Sequence, residues 1–239
     1  FQVRSTSSYV NTSGQTYIFM AIRRGPLAAP ESATDVFAVA ARTGASGNQG
    51  AYRSGFPVDM AFHKVVTSSA NPYEIGSRLT QGNSMNTTDT SAETTQGDQQ
   101  YDYMDGWNSE GSSSSTKYAW MWKRAPSYFD VVAWTGNDTA GRTVAHNLGV
   151  VPEMIWVKNR SAAVEWVVYH KDVSNGFLKL NTNDAKIGAY VFGADSSNDA
   201  QSATNIFLSS GNAVNELNKN YIAYLFATVA GVSKVGSYT

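Results

Sequence analysis

The 239-residue sequence carries 18 Lys and Arg against 19 Asp and Glu, a formal net charge of -1, so it has no field of either sign with which to gather nucleic acid or an anionic membrane. It contains no Cys, which excludes a disulfide framework, a thiolate metal site and a cysteine nucleophile. Hydrophobic residues make up 42% and charged ones only 15%, poor in the Glu, Lys and Leu of long helices, and no apolar run approaches the roughly 20 residues of a membrane helix.

The opening stretch, FQVRSTSSYV, lacks the charged and apolar regions of a secretion signal and begins without Met inside a strand-like alternation. It reads as the product of processing or as part of a longer parent. The first predicted strand lies in TYIFMAIRRGP, Thr16 to Pro26, and the chain writes it again as KYAWMWKRAP, Lys117 to Pro126, and as NYIAYLFATVAG, Asn220 to Gly231. Blocks between these copies correspond in the same order. TDVFAVAARTGASG, beginning at Thr34, matches FDVVAWTGNDTAG, beginning at Phe129. GFPVDMAFHK, Gly55 to Lys64, matches GVVPEMIWVK, Gly149 to Lys158, and MNTTDT at Met85 matches LNTNDA at Leu180. Several matched blocks in one order indicate duplication of a module. Residues 1–24 are then closing strands of a preceding module, 25–127 one module and 128–239 a second, related one, with GVSKVGSYT from Gly231 resembling the start of another.

Within each module the strand candidates are short, rich in β-branched and aromatic residues, and bounded by Gly, Asn, Ser and Pro. The expected fold is all-β: tandem antiparallel β-sandwich modules, jelly-roll-like, with at most short helical turns. YAWMWK and YIAYLFA are apolar on both faces, which places them centrally or at an interface between modules or subunits. Asn175-Gly176 predicts a hairpin with a type I′ turn, because both positions of that turn need positive φ.

Chemistry is sparse. His63, His146 and His170 stand apart from one another and from carboxylates at ligand spacing, so each is read as a hydrogen-bonded strand-end residue. DQQYDYMD, Asp98 to Asp105, and DSSND, Asp195 to Asp199, gather oxygen atoms but follow no cation-loop spacing, and read as solvated turns. Arg23, Arg24, Lys123 and Arg124 end their strands in basic pairs and are expected to pair with local acids at the module junction. No nucleophile elbow, phosphate loop or HExxH is present, so no cofactor or catalytic residue is assigned. Tyr101, Tyr103 and Trp107 sit in the long Gly/Ser/Asp-rich stretch Thr94 to Lys117; they could stack on a sugar face, or fold back over the module's own sheet. The sequons at Asn11 and Asn86 matter only in a eukaryotic secretory setting.

The strings FDVVAWTGNDTAGRTVAHNLGVVPEMIWVKNRS (Phe129 to Ser161), VVYHK and NYIAYLFATVAGVSKVGSYT (Asn220 to Thr239) resemble a module of unassigned activity in virion structural proteins of marine tailed bacteriophages, notably of cyanobacteria. The module before it, from YIFMAIRR through SGFPVDMAFHK to YAWMWKR, resembles the one that usually precedes it there. The resemblance implies a tail-fibre or appendage component located in the virion, partnered by copies of itself, as a trimer or larger assembly, and by other virion proteins. It also implies a meeting with the host surface, and the aromatic residues of the loop Thr94 to Lys117 make a glycan the ligand expected there. A purely architectural role, as capsid decoration or as a filament subunit joined by strand exchange, is the alternative. An enzyme such as a polysaccharide depolymerase would need paired carboxylates that the sequence does not identify.

Overall fold

The computed structural model describes residues 12–13, 28–42, 52–66, 73–80, 82–95, 99–109, 116–193 and 201–238. The strand expected at Tyr17 to Arg24 and the Asp195 to Asp199 cluster lie outside the described residues. The described chain is almost wholly antiparallel β structure, with 3-10 turns at Ala33–Asp35 and Arg78–Thr80. Ser32 and Asp35 close the first of these turns as a capping box.

The first half contributes β1 (Phe37–Arg42), β2 (Tyr52–Arg53), β3 (Met60–Val65), β4 (Glu74–Ser77), β5 (Asn83–Asn86), β6 (Thr94–Thr95), β7 (Gln99–Gln100), β8 (Gly106–Ser109) and β9 (Lys117–Trp122). The second contributes β10 (Phe129–Thr135), β11 (Arg142–Ala145), β12 (Met154–Asn159), β13 (Val167–His170), β14 (Leu178–Lys179), β15 (Asn205–Leu208) and β16 (Asn220–Phe226). Each half builds one large sheet, ordered β1-β9-β3-β4-β5-β6 or β10-β16-β12-β13-β14, and one small sheet, β2-β8-β7 or β11-β15. Reading β10 for β1, β11 for β2, β12 for β3, β13 for β4, β14 for β5, β15 for β8 and β16 for β9 converts the first arrangement, less its edge strands β6 and β7, into the second.

Matching hydrogen bonds fix which residues are equivalent. Asp59 N donates to Trp122 O as Glu153 N does to Phe226 O; Lys123 N donates to Val36 O as Ala227 N does to Tyr128 O; Arg78 N donates to Asp59 O as Lys171 N does to Glu153 O. The ladders then set Trp122 opposite both Phe37 and Met60, and Phe226 opposite both Phe129 and Met154. Phe37, not Thr34, therefore takes the place of Phe129, and Tyr118 takes the place of Ile222 rather than Tyr221. Aligning the two tyrosines matches residues on opposite faces, because side chains alternate along a strand and a slip of one reverses them. Tyr221 points into the second half's own core, whereas Tyr118 is partly exposed on the other face of its sheet.

β9 and β16 are central, as their apolar character on both faces requires. Along β16, Tyr221, Ala223 and Leu225 enter a core between the second half's sheets, while Ile222 and Tyr224 enter a core between the two large sheets. Ala119 and Met121 of β9 enter the corresponding outer core of the first half. The two sandwiches thus lie face to face over a shared central core that includes Met60, Ile75 and Met85 from one side and Phe129, Val131, Trp166, Ile222 and Tyr224 from the other.

Polar contacts lock the same seam. Trp166 Nε1 donates to Asn86 O at 2.7 Å, and Arg160 pairs Nε and Nη2 with the two Glu93 carboxylate oxygens, both at 2.9 Å. Such bidentate pairs carry geometry as well as charge. The connector between the halves is a closed turn in which Ala125 and Phe129 exchange backbone hydrogen bonds, with Ser127 at φ 61°. Val229 and Ser233 exchange the same bonds around Gly231 at φ 76°; Tyr128 and Val232, equivalent in these two turns, and Val36, after the first 3-10 turn, all pack on the central core.

The hairpin expected around Asn175 exists, since β13 pairs with β14, but its loop runs over residues 171–177 rather than through a two-residue type I′ turn. Asn175 takes positive φ (50°), and Gly176 serves close approach instead: a Cβ there would lie 2.4 Å from Ile187 O.

Candidate functional site

Strand alternation in β3 turns Met60, Phe62 and Lys64 towards the sister sandwich, and the same alternation in β12 does so for Met154, Trp156 and Lys158. Phe62 and Trp156 are equivalent, and they meet across an aromatic groove of about 290 Å³ completed by Tyr73, Thr87, Thr88 and Leu180. The rings on both walls are held from behind. Phe62 packs on Trp120 at 5.0 Å and Trp122 at 5.1 Å between centroids, and Trp156 on Phe226 at 4.9 Å. Thr87 N donates to Tyr73 O at 3.0 Å and its hydroxyl to the same oxygen at 3.3 Å, which fixes the loop that presents Tyr73. Lys64 Nζ lies 4.3 Å from the centre of the Tyr73 ring. The site offers ring faces, two threonine hydroxyls and one ammonium at its margin. It suits a ligand with an apolar face rimmed by hydroxyl groups.

The rings proposed from the sequence are elsewhere. Tyr101 and Trp107 are fully buried in the first half's outer core, and Tyr103 is half-buried with its hydroxyl 3.4 Å from Gln100 Oε1. Trp107 stacks on Tyr52 at 5.3 Å and lies 5.5 Å from His63 and 6.0 Å from Tyr101. Tyr101 and Trp107 fold back over the sheet, so they present no platform to a sugar; the apolar area they hide outweighs the value of leaving them in water.

His63 is in mid-strand rather than at a strand end. Burial, with Lys117 and Arg42 adding to it, pushes its pKa down to about 3, so it is held neutral, with Glu74 Oε2 3.6 Å from its Nε2. His146 does sit beside its strand end: its Nε2 is 3.1 Å from Ser202 O, Leu148 N donates to its Nδ1, and burial lowers its pKa. His170 ends β13 and accepts from Asp172 N.

Charged groups gather at the sandwich corners. Arg78 and Arg124 each approach the buried Asp59 at 3.4 Å, and Arg124 also reaches Asp130 across the connector at 3.7 Å. The junction pairing expected of Arg124 is present; Arg23 and Arg24 lie outside the described residues. In the second half the corner is Glu153, bonded by Lys171 at 3.0 Å and by the Thr228 hydroxyl. Burial alone would raise the Glu153 pKa, but those two bonds hold it below the usual value. Lys158, fully buried, donates Nζ to the carbonyls of Thr90, Asn159, Ala162 and Val164 at 2.8–3.4 Å. Burial lowers its pKa to about 8 against the opposing pull of Asp89 and Glu165. Among the described residues no group of three or more His, Asp or Glu is arranged to hold a metal ion. Asp105, from the acidic stretch, pairs with Arg53.

A family model described as a domain of unknown function, DUF7483, matches residues 32–239, both sandwiches together. No curated protein and no solved structure matches the chain.

Proposed function

The chain belongs to the DUF7483 family, from which no activity can be inherited, and we propose that it is a non-enzymatic structural protein of a bacteriophage particle. In this reading it is a tail-fibre or appendage component that contacts host-surface glycan through the groove between its sandwiches. The virion setting is supported by the sequence resemblance described above. The observation that carries the binding role is the pairing of Phe62 with Trp156 across an open groove next to Tyr73, Thr87 and Thr88. Part-exposed rings held by strands, as Phe62 and Trp156 are, suit recognition because little side-chain freedom is lost on binding. Loops 94–117 are replaced as the contact surface, since two of their three aromatic rings face inward.

Glycan-array binding of the full chain, followed by titration of the best ligand, tests this. Tyr73→Ala, at a site 36% exposed, is expected to weaken binding at least about tenfold with the fold intact by circular dichroism. Absence of any glycan ligand, or unchanged affinity in both Tyr73→Ala and Trp156→Ala, rejects the groove.

A further inference from the structure

The central face of the second sandwich is sealed along β10 and β16, and the equivalent part of the first, along β1 and β9, is not. Val131, Ile222 and Tyr224 are at most 3% exposed beneath the first sandwich. Their equivalents by the ladders are Val39, Tyr118 and Trp120; Val39 is 49% and Tyr118 38% exposed, and Trp120 is part-exposed. The second sandwich covers the β3-β4-β5 side of the first large sheet, where Trp166 bonds Asn86 and Lys158 bonds Thr90, and leaves the β1-β9 side open.

We propose that this uncovered strip, Val39, Tyr118 and Trp120, is the contact surface for a second copy of the chain, packed strip on strip about a twofold axis. The strip is continuous with an interface the fold already makes: Trp120 stacks on Phe62, whose neighbour Trp122 borders the central core. What covers this face in the sister half is a sandwich of this same fold, and another copy brings a strip of the same apolar character. Two Tyr/Trp-bearing strips supply the type of anchor that dominates interface energetics. A net charge of -1 raises no long-range barrier between copies. An isologous contact closes on itself and leaves no second strip free.

Sedimentation velocity of the full chain from about 1 µM to about 200 µM reads the proposal, since self-association depends on concentration. A monomer–dimer equilibrium is expected. The double variant Val39→Lys/Tyr118→Glu is expected to weaken it at least about tenfold, and Leu217→Ser, a side chain 57% exposed elsewhere, to leave it unchanged. If the double variant misfolds, Tyr118→Ser alone carries the same expectation. A monomer throughout, which is what another occupant of the strip would give, overturns the proposal. Association in the strip variants equal to that of the parent, or equally weakened by Leu217→Ser, does so too. None of these side chains lines the groove, so glycan binding can survive or fail independently.

Discussion

The first and second sandwiches share a strand order, a corner ion pair and a connector, yet equivalent residues live in different surroundings. Tyr224 is sealed in the central core while Trp120 reaches solvent; Asp59 is buried between two arginines while Glu153 is partly exposed beside Lys171. Lys158 is enclosed by four carbonyls while Lys64 lies over Tyr73 at the groove. Duplication copies the backbone address of a residue. Its energetic weight is set by what packs on that address, and here the two halves overlap off-centre.

The largest expected difference comes from truncating the equivalent rings. Tyr224→Ala should cost about 3–5 kcal/mol, as large-to-small changes at fully buried aromatic positions do, and Trp120→Ala about half of that or less because its site can refill with water. Urea unfolding of both variants measures this, and equal losses would mean that the two faces are equally covered. The corner pairs come next. Asp59→Ala leaves Arg78 and Arg124 without their shared carboxylate and should cost about 3 kcal/mol, whereas Glu153→Ala should stay below about 1 kcal/mol in the same assay. A Glu153 effect as large as that of Asp59 would show that exposure does not separate the corners.

These contrasts mark the boundary of what was legible beforehand. The all-β class, built from short strands rich in β-branched and aromatic residues, and the central position of β9 and β16 follow from local pattern, and the structure agrees with them. Register was not legible, because Tyr118 and Tyr221 look alike although one-residue displacement puts them on opposite faces. The inward turn of Tyr101 and Trp107 depends on Tyr52 and His63, which are remote in the chain and offer no local signal. The groove had one available clue: Phe62 and Trp156 are aromatic at the same place in matched blocks, on the face turned to the sister sheet. Its width depends on how the halves are offset, which no repeat pattern encodes.

His63 gives a pH test of the comparison, because its equivalent in the second sandwich is Val157, fully buried and apolar. The folded pKa of about 3 lies below the unfolded value near 6.5, so the unfolded state binds more protons between them. The stability from keeping His63 neutral is complete above about pH 6.5 and is lost as pH falls towards 3. The loss is on the order of 2–3 kcal/mol once relaxation around the ring is allowed for. His63→Val writes the second sandwich's residue into the first and should flatten that part of the stability profile. An unchanged acid slope would mean that Glu74 or other carboxylates, not His63, carry it.

The smallest effects are expected from the two lysines. Lys158→Met removes the donor shared by four carbonyls but also removes the cost of burying an ammonium, and the opposing terms should leave a net loss of about 1–2 kcal/mol at pH 7. The folded chain releases the Lys158 proton at about pH 8 and the unfolded chain near 10.4, so between those values the unfolded state holds more protons and parental stability rises with pH. The gap between parent and Lys158→Met should therefore widen from pH 8 to pH 10. Lys64→Met, at the equivalent position on the open side, gives up a part-exposed contact with the Tyr73 ring and should cost below about 1 kcal/mol. Chemical unfolding of both variants at pH 7, 8 and 10 decides the matter. A flat Lys158 gap would place its ammonium in contact with water, and with that the seam between the sandwiches could not be closed at Thr90.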